Sequence, residues 1–153
     1  MDIRSILSED AVLSSLDAHS KKHAIQEVSH VAAKLTGLSE RAIFDTLLQR
    51  ERLGSTGVGK GIAIPHGKLV GLDRLTGVFA RLAEPIGFDA LDDQPVDLVF
   101  TLLAPEEAGA DHLKALAKIA RILRAPGVIQ ELRAARGAQD LHAIFAKAQA
   151  PAI

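Results

Sequence analysis

Apolar residues recur at helical spacing in some stretches of this chain and run together in others, and the order of the two patterns predicts its architecture. Ala11–Leu16 is a short candidate strand. Ser20 then offers an N-cap to KKHAIQEVSHVAAKLTG, in which Ala24, Ile25, Val28, Val31, Ala32 and Leu35 share one face and Gly37 suits the closing left-handed residue. Ser39 caps a second helix, ERAIFDTLLQRERLG, with Ile43, Leu47 and Leu48 on one side and Gly54 at its end. Beyond a glycine-rich stretch, Ile62–Ile64 is a short apolar run cut by Pro65, and Leu75–Leu82 is a strand stopped by Glu84 and Pro85. Val96–Ala104 is almost wholly apolar, as a central strand covered on both faces would be, and Pro105 ends it.

The last third is helical again. Leu113, Leu116, Ala117, Ala120 and Leu123 form one stripe of a helix that Asp111 is placed to cap, Pro126 opens a second helix, and Ala138–Ala148 is a third. The final AQAPAI reads as a frayed end. Strands and helices do not alternate strictly, so the expected fold is α/β with a mixed sheet between helical layers, in a single domain over residues 1–153.

Composition narrows what such a domain does. A length of 153 residues suits one core, and 48% hydrophobic with 24% charged residues is ordinary for a folded domain. The formal net charge of −1, with no block of Lys or Arg, gives no general attraction for nucleic acid or anionic lipid. The five aromatic residues are all Phe, which disfavours base- or sugar-stacking platforms. With no cysteine there is no disulfide, thiolate metal site or thiol nucleophile. Neither a leader-like start nor a run of about 18 apolar residues is present, so no membrane insertion is expected and the cytoplasm is the expected location.

The chemistry gathers in 54-GSTGVGKGIAIPHGK-68. Gly54, Gly59 and Lys60 imitate a nucleotide P-loop, but such a loop follows a strand, precedes a helix and carries Ser or Thr after the Lys. Here a helix leads in, an extended run leads out, and Gly61 stands where the magnesium-binding hydroxyl belongs. The glycines serve either as a flexible turn, plausible for Gly57 and Gly61, or to bring N–H groups and Lys60 close to an anion. His66 is the other candidate. A neutral imidazole is nucleophilic without a base to activate it, and Pro65 and Gly67 present its ring on a stiff, uncrowded mount.

His19, His23 and His30 fall on a helix surface without a ligand pattern, and His142 on the terminal helix, so all four are expected as solvated. His112 differs, because it opens a helix whose N–H groups favour anions. A zinc or hydrolase site of His66, Asp111 and His112 would lack any recognised motif spacing. Arg50, in QRERLGST, brings a guanidinium matched to phosphate oxygens to the start of the loop, whereas Glu51 and Arg52 read as a salt bridge or a solvated helix end.

Together, Arg50, 54-GSTGVGKGIAIPHGK-68, 87-GFDALDDQPVDLVF-100 and 112-HLKALAKIA-120 resemble the phosphotransferase-system enzyme IIA domains of the fructose/mannitol class, and most of all their nitrogen-regulatory branch. The resemblance spans nearly the whole chain. It implies a three-layer α/β/α sandwich with a mixed sheet. His66 would accept a phosphoryl group from an HPr-like histidine phosphocarrier, with His112 and Arg50 stabilising charge and Thr56 and Gly57 in the loop beside the phosphate. No cofactor and no metal are implied. Regulatory relatives act on proteins such as kinases or potassium transport components according to phosphorylation state. Sugar-transport members instead pass the phosphate to an enzyme IIB.

Overall fold

The computed structural model describes residues 2–149. Its strands are β1 (Val12–Leu16), β2 (Gly57–Gly59), β3 (Ile62–Ala63), β4 (His66–Leu69), β5 (Thr76–Ile86) and β6 (Val96–Pro105). Its helices are α1 (Lys21–Thr36), α2 (Glu40–Leu53), α3 (Asp111–Arg124), α4 (Val128–Ala134) and α5 (Ala138–Ala148). The sheet has six strands in the order β1-β5-β6-β3-β2, with β4 also paired to β6. It is mixed, as expected. β1 runs parallel to β5, β3 and β4 run parallel to β6, and β5 lies antiparallel to β6.

Strand β6 is the spine and is buried along nearly its full length, which accounts for its unbroken apolar run. Phe100 on β6 and Phe79 on β5 lie opposite one another, and the Phe145 ring of α5 meets them edge-on at centroid distances of 5.4 and 4.8 Å. On the other face α2 presses against β4. A Cβ added at Gly67 would lie 2.7 Å from Thr46 Cγ2, so glycine is required there for helix and strand to touch. The result is a three-layer α/β/α sandwich in a single domain.

Ser20 and Ser39 cap α1 and α2 as the sequence predicts, accepting from the N–H of His23 and Ala42. Gly37 closes α1 at φ 75°. Other boundaries differ. Asp111 is not a cap but the first residue of α3, where its carboxylate still favours the helix dipole, and Ala110 holds the cap position. Pro126 lies before α4, whose cap is Gly127. Strand β5 does not stop at Glu84 but continues to Ile86, because a register shift between Arg81 and Ile86 lets the proline sit outside the ladder. Of the predicted frayed end, 150–153 lies outside the described residues. Gln149 is tied, accepting from the Ile3 N–H at 2.6 Å and donating to Asp2 Oδ1 at 2.9 Å.

Truncating Phe145 to Ala removes the ring that joins β5 and β6 to α5. The expected loss is about 3–5 kcal/mol of unfolding free energy, read as a fall in urea midpoint with little change in slope. An unchanged midpoint would show that the aromatic triad carries no such weight.

Candidate functional site

The stretch around His66 is one strand in two pieces. Ile62 pairs with Leu98 and Ala63 with Val99, then His66 with Leu102 and Leu69 with Pro105, so the register is the same on both sides of Ile64 and Pro65. The ladder survives the break, since the Leu102 N–H donates to the Pro65 carbonyl at 2.9 Å. Alternation then puts Ile62, Ile64 and His66 on one face, and Gly67 on the face of α2. The sequence reading ended this strand at Pro65 and missed β4, because an HGKL stretch carries no apolar signal.

His66 is half-buried, and its Nδ1 lies 2.8 Å from the Ile64 carbonyl oxygen. A carbonyl only accepts, so Nδ1 carries the hydrogen and Nε2 keeps the lone pair. The ring's pKa is lowered from 6.5, first by burial. The Ile64 hydrogen bond opposes this, the positive charges of Arg50 and His112 reinforce it, and the negative charge of Glu51 opposes it. His66 is therefore a neutral imidazole at pH 7 with three charge-bearing neighbours.

Two of those neighbours come from the last turn of α2. Arg50 Nη1 donates to the Gly54 carbonyl at 2.8 Å, which holds the guanidinium over the start of the glycine stretch. Glu51 is not the solvated helix end the sequence suggested. It is only 5% exposed, and its carboxylate accepts from the Thr56 N–H at 2.8 and 2.9 Å and from Thr56 Oγ1 at 2.6 Å. An acid in the last turn of a helix opposes the dipole, and that local conflict was the legible signal that Glu51 has another task.

GSTGVGKG folds as a tight hairpin, β2 against β3, rather than a flexible loop. Thr56 is buried with its hydroxyl on Glu51, and the Gly57 N–H donates to Ser55 Oγ at 3.0 Å. Gly57 is a glycine for close packing: a Cβ there would fall 2.7 Å from Ala90 Cβ. The segment that packs on it, 87–95, is held by Ser55 Oγ donating to the Phe88 carbonyl at 2.6 Å and by the Lys60 N–H donating to Asp92 at 3.0 Å.

The third neighbour, His112, lies in the first turn of α3, with Nδ1 2.8 Å from the Gly109 carbonyl. The same donor argument leaves its Nε2 free. Arg50 and His112 are thus both brought within electrostatic reach of His66. Exposed leucines accompany these elements: Leu53 beside Gly54, Leu113 beside His112, and Leu91, whose N–H points to the Gly57 carbonyl. The remaining histidines are engaged elsewhere. His23 pairs with Glu27, His30 with Glu40, His142 Nε2 donates to the Leu7 carbonyl at 2.7 Å, and the His19 ring stacks on His23. Among the described residues no three His, Cys, Asp or Glu side chains gather as a metal site.

Comparison with known proteins gives a consistent picture. Residues 5–148 match the family model described as phosphoenolpyruvate-dependent sugar phosphotransferase system, EIIA 2. A nitrogen regulatory protein of Bradyrhizobium diazoefficiens is 56% identical over 146 residues, 95% of each chain. The crystal structure of nitrogen regulatory protein IIA-Ntr from Neisseria meningitidis superposes with a TM-score of 0.89 at 38% identity, covering 94% of this chain and 98% of that one. Mannitol IIA from Escherichia coli shares the fold, with a TM-score of 0.75 at 22% identity over 90% of this chain and 96% of that one.

Replacing Glu51 with Ala leaves the Thr56 N–H and hydroxyl buried without an acceptor, at about 1–3 kcal/mol for each orphaned donor. Urea denaturation should record that loss, hydrogen exchange at the Thr56 amide should accelerate, and Glu51→Gln, which keeps one acceptor oxygen, should lose less. Equal stability of all three proteins would remove Glu51 from this role.

Proposed function

The chain belongs to the phosphoenolpyruvate-dependent sugar phosphotransferase system EIIA 2 family, and on that premise we propose that it is a phosphocarrier that accepts a phosphoryl group on His66 Nε2. The observation that carries the proposal is the Nδ1–H of His66 donated to the Ile64 carbonyl in a ring kept neutral by burial. The donor is an HPr-like histidine phosphocarrier. As the bond from Nε2 to phosphorus forms, the bond from phosphorus to the donor's nitrogen breaks and its electron pair returns to the donor's imidazole. No proton has to move, because Nδ1 keeps its hydrogen.

The surrounding charges suit this transfer. Arg50 brings a fixed positive charge and His112 a second imidazole within electrostatic reach of His66, and groups so placed act most strongly where phosphoryl transfer is largely positioning plus electrostatics. Glu51 acts oppositely. Its buried carboxylate favours positive charge in the ring that Nε2–P bonding creates. Thr56 and Gly57 support the loop beside the phosphate. Leu53, Leu91 and Leu113, exposed by 84, 85 and 60% beside Gly54, Gly57 and His112, offer apolar side chains that a protein partner could cover.

Over residues 1–153 the chain acts as one EIIA type 2-like domain in the cytoplasm. No helix among the described residues is long and apolar enough to cross a membrane. The likeness to nitrogen regulatory proteins supports a regulatory output. Phosphate on His66 adds charge and acceptor oxygens to the protein's surface, so target proteins, of which kinases and potassium transport components are the candidate classes, distinguish the two states. Transfer onward to an enzyme IIB is the competing reading, and formation of sugar phosphate downstream would favour it.

Incubation with phosphoenolpyruvate, enzyme I and the HPr-like carrier should place an acid-labile phosphate on Nε2 of His66, visible by nitrogen NMR of the ring. His66→Ala should abolish it, and Arg50→Ala or His112→Ala should slow it by about 10²-fold. Labelling that persists in His66→Ala would overturn the assignment. Because the ring is neutral above a lowered pKa, acceptance should hold to more acidic pH than for an ordinary histidine. The midpoint of its acidic limb, and of the His66 ring titration, is expected below 6.5; a midpoint at or above that value contradicts the burial argument.

A further inference from the structure

Lys60 was singled out in the sequence and is not among the charged neighbours of His66. It stands at the turn of the β2–β3 hairpin at φ 59° and borders two adjoining hollows. One is an open cleft of about 670 Å³ where Lys60, Arg124 and Arg133 meet Gln94, Gln130 and Asp97. The other is an apolar pocket of about 210 Å³ between the sheet and α3, walled by Val58, Ile62, Ile64, Ala120, Leu123 and Ile129. Lys60, Arg124 and Ile129 border both, so the hollows form one trough with an apolar end and a cationic end.

The cationic end has a built floor. Arg133 grips Asp97 with Nε and Nη2, both at 2.9 Å, and Nη2 also donates to the Lys60 carbonyl at 3.1 Å. A Cβ at Gly61 would fall 2.4 Å from Arg133 Nη2, so glycine is needed for this arrangement. The carboxylate of Asp97 is thereby taken, and Asp92, on the neighbouring turn, accepts from the Lys60 backbone N–H. Lys60 and Arg124 form no ion pair among the described residues. Isolated surface cations are usually just solvated. What differs here is an apolar pocket opening directly between two of them, a combination that suits a ligand with both characters.

We propose that this trough binds a small amphiphilic anion, with a short hydrocarbon body in the pocket between Ile62, Ile64 and Leu123 and a carboxylate or phosphate head at Lys60 and Arg124. The site is separate from the transfer surface, and its test does not depend on phosphorylation. It nevertheless touches that chemistry at one residue: the Ile64 side chain walls the pocket, and its carbonyl holds His66 Nδ1.

The test is titration of the full chain, followed by NMR, with sodium octanoate and with octyl phosphate, using octanol and inorganic phosphate as half-ligands. Saturable shifts at Ile62, Ile64, Leu123 and Ile129 are expected with one or both amphiphiles, and the stronger of the two identifies the head group. Each half-ligand should bind at least about 10-fold more weakly. The double variant Lys60→Gln/Arg124→Gln, altered only at exposed side chains, should keep the native spectrum and lose about 10-fold in affinity for the better amphiphile. No saturable shift with either amphiphile, octanol binding as tightly as the better amphiphile, unchanged affinity in the double variant, or shifts confined to Leu53, Leu91 and Leu113 would each overturn the proposal.

Discussion

Residues 62–69 follow β6 in a single register, although a proline without an N–H interrupts them, and the site is a consequence of that pairing. β6 is buried on both faces, and a slip of one residue would swap the side chains packed against each helical layer. Its partner is therefore held in register too. Once Ile62 lies opposite Leu98, His66 must lie opposite Leu102, with its ring on the face of Ile64 and the carbonyl of Ile64 at its Nδ1. The orientation of a polar ring is thus set by the packing of apolar residues four and more positions away.

Around this fixed ring the charges are held by the backbone more than by one another. Arg50 donates to the Gly54 carbonyl, His112 to the Gly109 carbonyl, and Arg81, elsewhere in the fold, to the carbonyls of Ser14, Leu132 and Ala135. A guanidinium held by carbonyl oxygens keeps its charge unneutralised. Near His66 that arrangement leaves Arg50 without a carboxylate partner among the described residues. Glu51 is the mirror image, an anion held by an N–H and a hydroxyl instead of a cation.

Much of this was legible in the sequence because local physics and tertiary structure agree there. Ser20, Gly37 and Ser39 mark helix ends by the same hydrogen bonds that the structure shows, and the apolar run of β6 announces a buried strand. His66, His112 and Arg50 stood out by residue type and setting, and the structure brings the latter two within electrostatic reach of His66. What escaped was decided at a distance. HGKL is a strand only because β6 offers it a partner, LAEPI continues β5 only through a register shift, and the burial of Glu51 depends on a hairpin folding back onto its helix. Gly57 and Gly61 looked like flexibility and proved to be clearance, for Ala90 and for Arg133.

The partner that fixes the His66 tautomer is a main-chain oxygen. A carboxylate in that position could be lost by a single base change in the gene, whereas the carbonyl of residue 64 is present whatever side chain the codon specifies. The choice of nitrogen is therefore inherited with the strand and not with any one amino acid. A lineage in which every side chain around His66 had drifted would still expose Nε2, provided the strand kept its place beside β6.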